Sequence, residues 1–143
     1  MKPIMQTRFG DGNGNCLLAC VASLLHRPIE SIPDFNLSGV GWMEELYTWC
    51  GNEGIGLIQF NHPNYGDTGL YRGYGIACFS VVGSEEDHAV VCEFVRKDAN
   101  SESWEWETVP YFDPNPKGVN VDKLKHIIVL IPPPCERFHE DEG

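Results

Sequence analysis

The chain is short of basic residues: 10 Lys and Arg stand against 21 Asp and Glu, a net charge of -11 over 143 residues. Binding a phosphate backbone needs clustered cations that release counterions, so this balance argues against nucleic acid as a partner. It equally disfavours an anionic membrane surface, and it suits a basic peptide or protein substrate. No apolar run reaches the roughly 18–20 residues of a membrane span. The opening Met1-Lys2-Pro3-Ile4-Met5-Gln6-Thr7 lacks the apolar core of a secretory signal. Six cysteines, Cys16, Cys20, Cys50, Cys78, Cys92 and Cys135, include no CxxC pair. They are too scattered for a zinc cluster and too sparse for a disulfide scaffold, so neither metal nor other cofactor is implied. Lying in apolar segments, they read as reduced thiols of a soluble cytoplasmic protein. Gly10-x-Gly12-x-Gly14 lacks both the preceding strand and the spacing of a dinucleotide loop. With no repeat and no linker, residues 1–135 read as one domain and 136–143 as an acidic tail.

What is present is organised around Asn15-Cys16-Leu17-Leu18-Ala19-Cys20-Val21-Ala22-Ser23-Leu24-Leu25, a run without a single charge. Such a run predicts a helix buried on nearly all sides, ended near His26 by Arg27-Pro28. A second helix is expected over 41–50, with Trp42, Leu46 and Trp49 on one face and Gly51 and Gly54 as stop signals. Strands are expected over 56–60, 76–82, 88–96, 104–112 and 126–131, where β-branched and aromatic residues recur between polar turns. Residues 61–75, rich in Gly, Asn and Pro, form a long connection of the kind that is usually functional. Helices followed by a run of strands predict an α+β fold, helices packed on one side of an antiparallel sheet.

Cys16 leads the charge-free helix. Unpaired N–H groups at a helix N-terminus stabilise a thiolate, which makes Cys16 a candidate nucleophile with a depressed pKa. A free cysteine is also commonly a small buried hydrophobe. A thiolate needs a base, and the base needs a group to orient it. His26 lies about 15 Å away at the far end of the helix. His62 falls in the long connection, His139 in the tail, and His126 in a strand where a structural role is the default. His88 opens a strand directly after a polar turn. Asp113 ends the following strand, so hairpin pairing brings it beside His88, where a carboxylate would hold the imidazole tautomer. Asn115, two residues on, is a second candidate for that role.

Gln6, Gly14-Asn15-Cys16 at a helix start, His88-Ala89-Val90-Val91 and Phe112-Asp113-Pro114-x-Pro116-x-Gly118 together resemble the papain-like cysteine peptidases. Within them the chain is most similar to the bacteriocin-leader-processing, double-glycine type and to small related proteins of bacteria and phages. The similarity spans roughly residues 5–131. It implies a papain-like fold, with Cys16 as nucleophile, His88 as general base, Asp113 as orienting acid and Gln6 as oxyanion-hole donor. Gln6 stands further from the cysteine than the family's glutamine usually does, and Leu17 occupies a position where the family commonly has glycine or another small residue. The expected activity is hydrolysis of a peptide, isopeptide or other amide. A transglutaminase-like acyltransferase needs the same triad. A non-catalytic binding protein on this fold, for example a phage-borne inhibitor of a host or defence factor, is the other alternative; acidity and the aromatics Trp104 and Trp106 favour it.

Overall fold

In the computed structural model, which describes residues 3–9, 15–35, 41–60, 73–85, 87–96 and 106–133, the charge-free run winds into helix α1 (Cys16–Leu25). Nine of its ten residues are buried, as an apolar run without a polar face requires. His26 ends it at φ 56°, a left-handed conformation more often taken by glycine, and donates its N–H to the Ala22 carbonyl. Helix α2 (Trp42–Glu53) buries Trp42, Leu46 and Cys50. It runs three residues past the expected stop at Cys50, because Gly51 continues the helix and Gly54, at φ 72°, closes it.

The strands β1 (Gly56–Phe60), β2 (Gly73–Val81), β3 (Asp87–Arg96), β4 (Trp106–Phe112) and β5 (Val121–Ile131) form one antiparallel sheet in the order β1-β5-β2-β3-β4. The protein is therefore α+β. Side chains alternate across this sheet. Ile76, Cys78, Ala89, Val91 and Ile128 pack with the two helices, while Ala77, Val90, Cys92, Phe94 and Ile127 form a second cluster. Pro110 lies on β4, an edge strand and next to a register shift, the two places in a sheet that tolerate proline.

Two strand starts differ from expectation by three residues or more. Strand β2 begins at Gly73 rather than Ile76, and β5 begins at Val121 rather than His126. The early part of β5 is polar and pairs with β2 across two register shifts, so it carries no clean alternation to read. Lys125 also ion-pairs with Asp87 at 3.0 Å, joining the start of β3 to this part of β5. The glycine turn at 10–14, the connection over 61–72, His62, Trp104, Cys135, His139 and the 136–143 tail lie outside the described residues, as does the side chain of Trp106. Among the described residues, no helix is long and apolar enough to cross a membrane.

The approach of β2 to its neighbours is close at Gly75. A Cβ there would lie 2.8 Å from the Ile128 carbonyl oxygen and 2.8 Å from the Phe94 ring. Neither backbone nor a buried ring yields cheaply. Gly75→Ala is expected to destabilise the fold by about 1–3 kcal/mol, read as a lower urea midpoint at unchanged slope.

Candidate active site

Four segments converge near the N-terminus of α1: the helix tip itself, the start of β3, the turn after β4, and the irregular strap over residues 3–9. The strap is bound at both ends. Ile4 donates its N–H to Ser23 Oγ at 2.9 Å, and Gln6 donates its own to the Pro114 carbonyl at 2.9 Å.

His88 and Asp113 meet directly. His88 Nε2 lies 2.7 Å from Asp113 Oδ1, with the imidazole almost fully buried and the carboxylate partly exposed. The same Oδ1 accepts the Asn115 N–H at 2.8 Å. A carboxylate oxygen only accepts, so Nε2 carries the proton and Nδ1 of the neutral ring keeps its lone pair. Asn115 does not share the orienting role. Its Oδ1 accepts the Lys117 N–H and its backbone braces Asp113, so it builds the turn. The hairpin places Asp113 as expected, but not by simple pairing. Cys92 opposes Pro110 and Val91 opposes Phe112, so Tyr111 is an extra residue that shifts β4 just before Asp113.

Cys16 is 5% exposed, and its sulfur faces the backbone N–H groups of Ala89, Leu17 and Cys16 itself. Those donors favour the thiolate, as a helix tip should. Burial opposes them and prevails, with the Asp113 charge adding to it, so the thiol is held above its ordinary value. The expectation of a depressed pKa is therefore corrected: loss of water outweighs the helix tip. Among the described contacts there is no Cys16–His88 hydrogen bond; the thiol lies against Ala89, the residue next to the histidine. Catalytic hydrogen bonds are often long before substrate is bound.

Gln6 is buried beside the Asp113 turn, its Nε2 donating to the Arg8 carbonyl at 2.9 Å. The same carbonyl accepts the Asn15 N–H at 3.3 Å, which sets the carboxamide next to the helix tip. In the sequence Asn15 is marked only as the residue that opens the charge-free run before Cys16. Both polar atoms of its side chain are engaged: Oδ1 accepts the N–H groups of Thr7 and Arg8, and Nδ2 donates to Thr7 Oγ1, each at 2.9 Å. The one available signal was a cap-type residue directly before the candidate nucleophile.

The remaining described histidines stay apart from this centre. His26 caps α1 at its far end, and His126 packs its ring against Trp42 and its Nδ1 against Gln59 Nε2. Comparisons with known protein families, curated proteins and solved structures found no match.

Proposed function

We propose that this chain is a papain-like cysteine hydrolase that cleaves a peptide, isopeptide or related amide through Cys16, His88 and Asp113. The observation that carries the reading is the 2.7 Å bond from His88 Nε2 to Asp113 Oδ1. It leaves the Nδ1 lone pair to act as a base toward the Cys16 thiol, which lies against Ala89, the residue next to His88. In the reaction, Nδ1 takes the Cys16 proton as the sulfur attacks the substrate carbonyl carbon. The oxyanion receives hydrogen bonds from the Cys16 N–H and from the second N–H of the Gln6 carboxamide. The imidazolium then protonates the leaving amine, giving a thioester. Water, deprotonated by His88, attacks that thioester, releasing a carboxylic acid and restoring the thiol. An amine in place of water would make the product of an acyltransferase by the same steps. The acidity of the chain suits basic groups in the substrate.

A non-catalytic binding domain is the second reading, favoured by the burial of Cys16 and the upward push on its thiol. Site-resolved alkylation separates the two. At pH 7–8 iodoacetamide is expected to modify Cys16 at least ~10-fold faster than Cys20, Cys50, Cys78 or Cys92, since only Cys16 would have a base, His88 Nδ1, to take its proton as the sulfur reacts. His88→Ala should remove that advantage. A Cys16 as inert as the other four in the native protein would favour the binding domain.

A further inference from the structure

We infer that Asn15 is a positioning residue for the oxyanion site: through the backbone of Arg8 it sets where the Gln6 carboxamide points. This rests on the reading of Cys16 as an acyl-accepting nucleophile. The first observation is what Asn15 forgoes. Asparagine before a helix normally caps it, yet Asn15 makes no side-chain cap to α1. Its polar atoms are all turned to the strap, at 3% exposure, where Oδ1 gathers two consecutive N–H groups and Nδ2 holds Thr7 Oγ1. Together with the Asn15 N–H on the Arg8 carbonyl, four hydrogen bonds lock residues 7 and 8 to the residue before the nucleophile.

The second observation is what Gln6 lacks. Its Oε1 is buried with no partner among the described residues, so the bond from Nε2 to the Arg8 carbonyl is the one side-chain hydrogen bond that orients the carboxamide. Reversing the amide would set two oxygens against each other, so that carbonyl decides which way the group faces. One N–H of Nε2 is spent on Arg8 and the other remains for a substrate oxygen. Asn15 therefore acts on Gln6 through a single shared carbonyl. A displacement of about 1 Å at such a donor is costly, because the oxyanion hole acts by being preorganised.

The test compares two reactions of Cys16 that differ in their need for an oxyanion site. Acylation by p-nitrophenyl acetate develops an oxyanion, whereas alkylation by iodoacetamide does not. In Asn15→Leu, acylation of Cys16 is expected to fall ~10²-fold while its alkylation stays within about twofold of wild type. Asn15→Asp keeps the two acceptor bonds and is expected to recover acylation to within several-fold of wild type. Thr7→Val, which removes only the Nδ2 bond, should give a smaller fall and serves if Asn15→Leu does not fold. A parallel loss of both reactions, or no loss of acylation in either Asn15→Leu or Thr7→Val, overturns the inference. A wild-type Cys16 inert to both reagents overturns the nucleophile reading itself, and this inference with it.

Discussion

His88→Ala is expected to cut any Cys16-dependent hydrolysis by ~10²–10⁴-fold, the range a lost general base typically costs, and Cys16→Ala to abolish it. The Cys16 thiol of the His88 variant should still titrate above the ordinary ~8.5, because burial sets the direction of its shift. Asp113 gives the sharper contrast. Asp113→Ala removes the acceptor for both His88 Nε2 and the Asn115 N–H, so the ring loses its tautomer and the turn its brace. In Asp113→Asn the amide oxygen can accept both bonds, and the Asn115 N–H can be met only by that oxygen, which holds the amide the right way round. The asparagine variant should therefore retain most activity and the alanine variant little, measured as kcat on any substrate that wild type turns over. Equal losses in the two variants would show that the carboxylate charge, rather than the accepted hydrogen bond, is what His88 needs. Full activity in Cys16→Ala would leave the binding-domain reading in its place.

Alkali is expected to unfold the protein steeply. Four core thiols are kept protonated by burial: Cys50 is pushed up to about 11 and Cys92 to about 12, and Cys20 and Cys78 are raised as well. Cys50 rises less than Cys92, in part because the Arg27 guanidinium offsets its burial. In the unfolded chain each thiol releases its proton near ~8.5. Above that pH the unfolded state binds fewer protons than the folded one, so stability falls as pH rises. Each thiol contributes a loss of about 1.4 kcal/mol per pH unit up to its folded value, or roughly 5–6 kcal/mol per unit for the four. A domain stable by about 5–15 kcal/mol should lose its fold within one to three units above pH 9. Urea midpoints at pH 7, 8, 9 and 10 check this, with little change over the first two. Cys92→Ala, whatever its cost at pH 7, should flatten the alkaline slope by about one proton. A slope the same as wild type would mean that Cys92 already ionises in the folded protein.

Much of the architecture could be read from local pattern. The charge-free run at 16–25, the amphipathic spacing of Trp42 and Leu46, and the β-branched segments each follow from periodicity within a few residues, and α1, α2 and the antiparallel sheet appear where they call for them. Asp113 beside His88 was also legible, since a hairpin brings a strand's start and its partner's end together. The placement of β5 between β1 and β2 was not, because strand order depends on contacts between distant segments. Nor was the extra residue at Tyr111, which no local pattern announces. The work of Asn15 escaped for a similar reason: its partners, Thr7 and Arg8, are eight and seven residues back along the chain, a separation that implies no contact by itself.

Cys16 divides the two kinds of information most clearly. Its place at the head of α1, and the N–H groups of residues 16 and 17 that favour its thiolate, are local and so follow from the sequence. Its burial under β3, and hence the direction in which its thiol is pushed, is summed over neighbours far along the chain, Ala89 and Asp113 among them. A helix tip exists as soon as the helix does. The loss of water that outweighs it exists only once the sheet has closed over it, because desolvation belongs to the packed state and to no single segment.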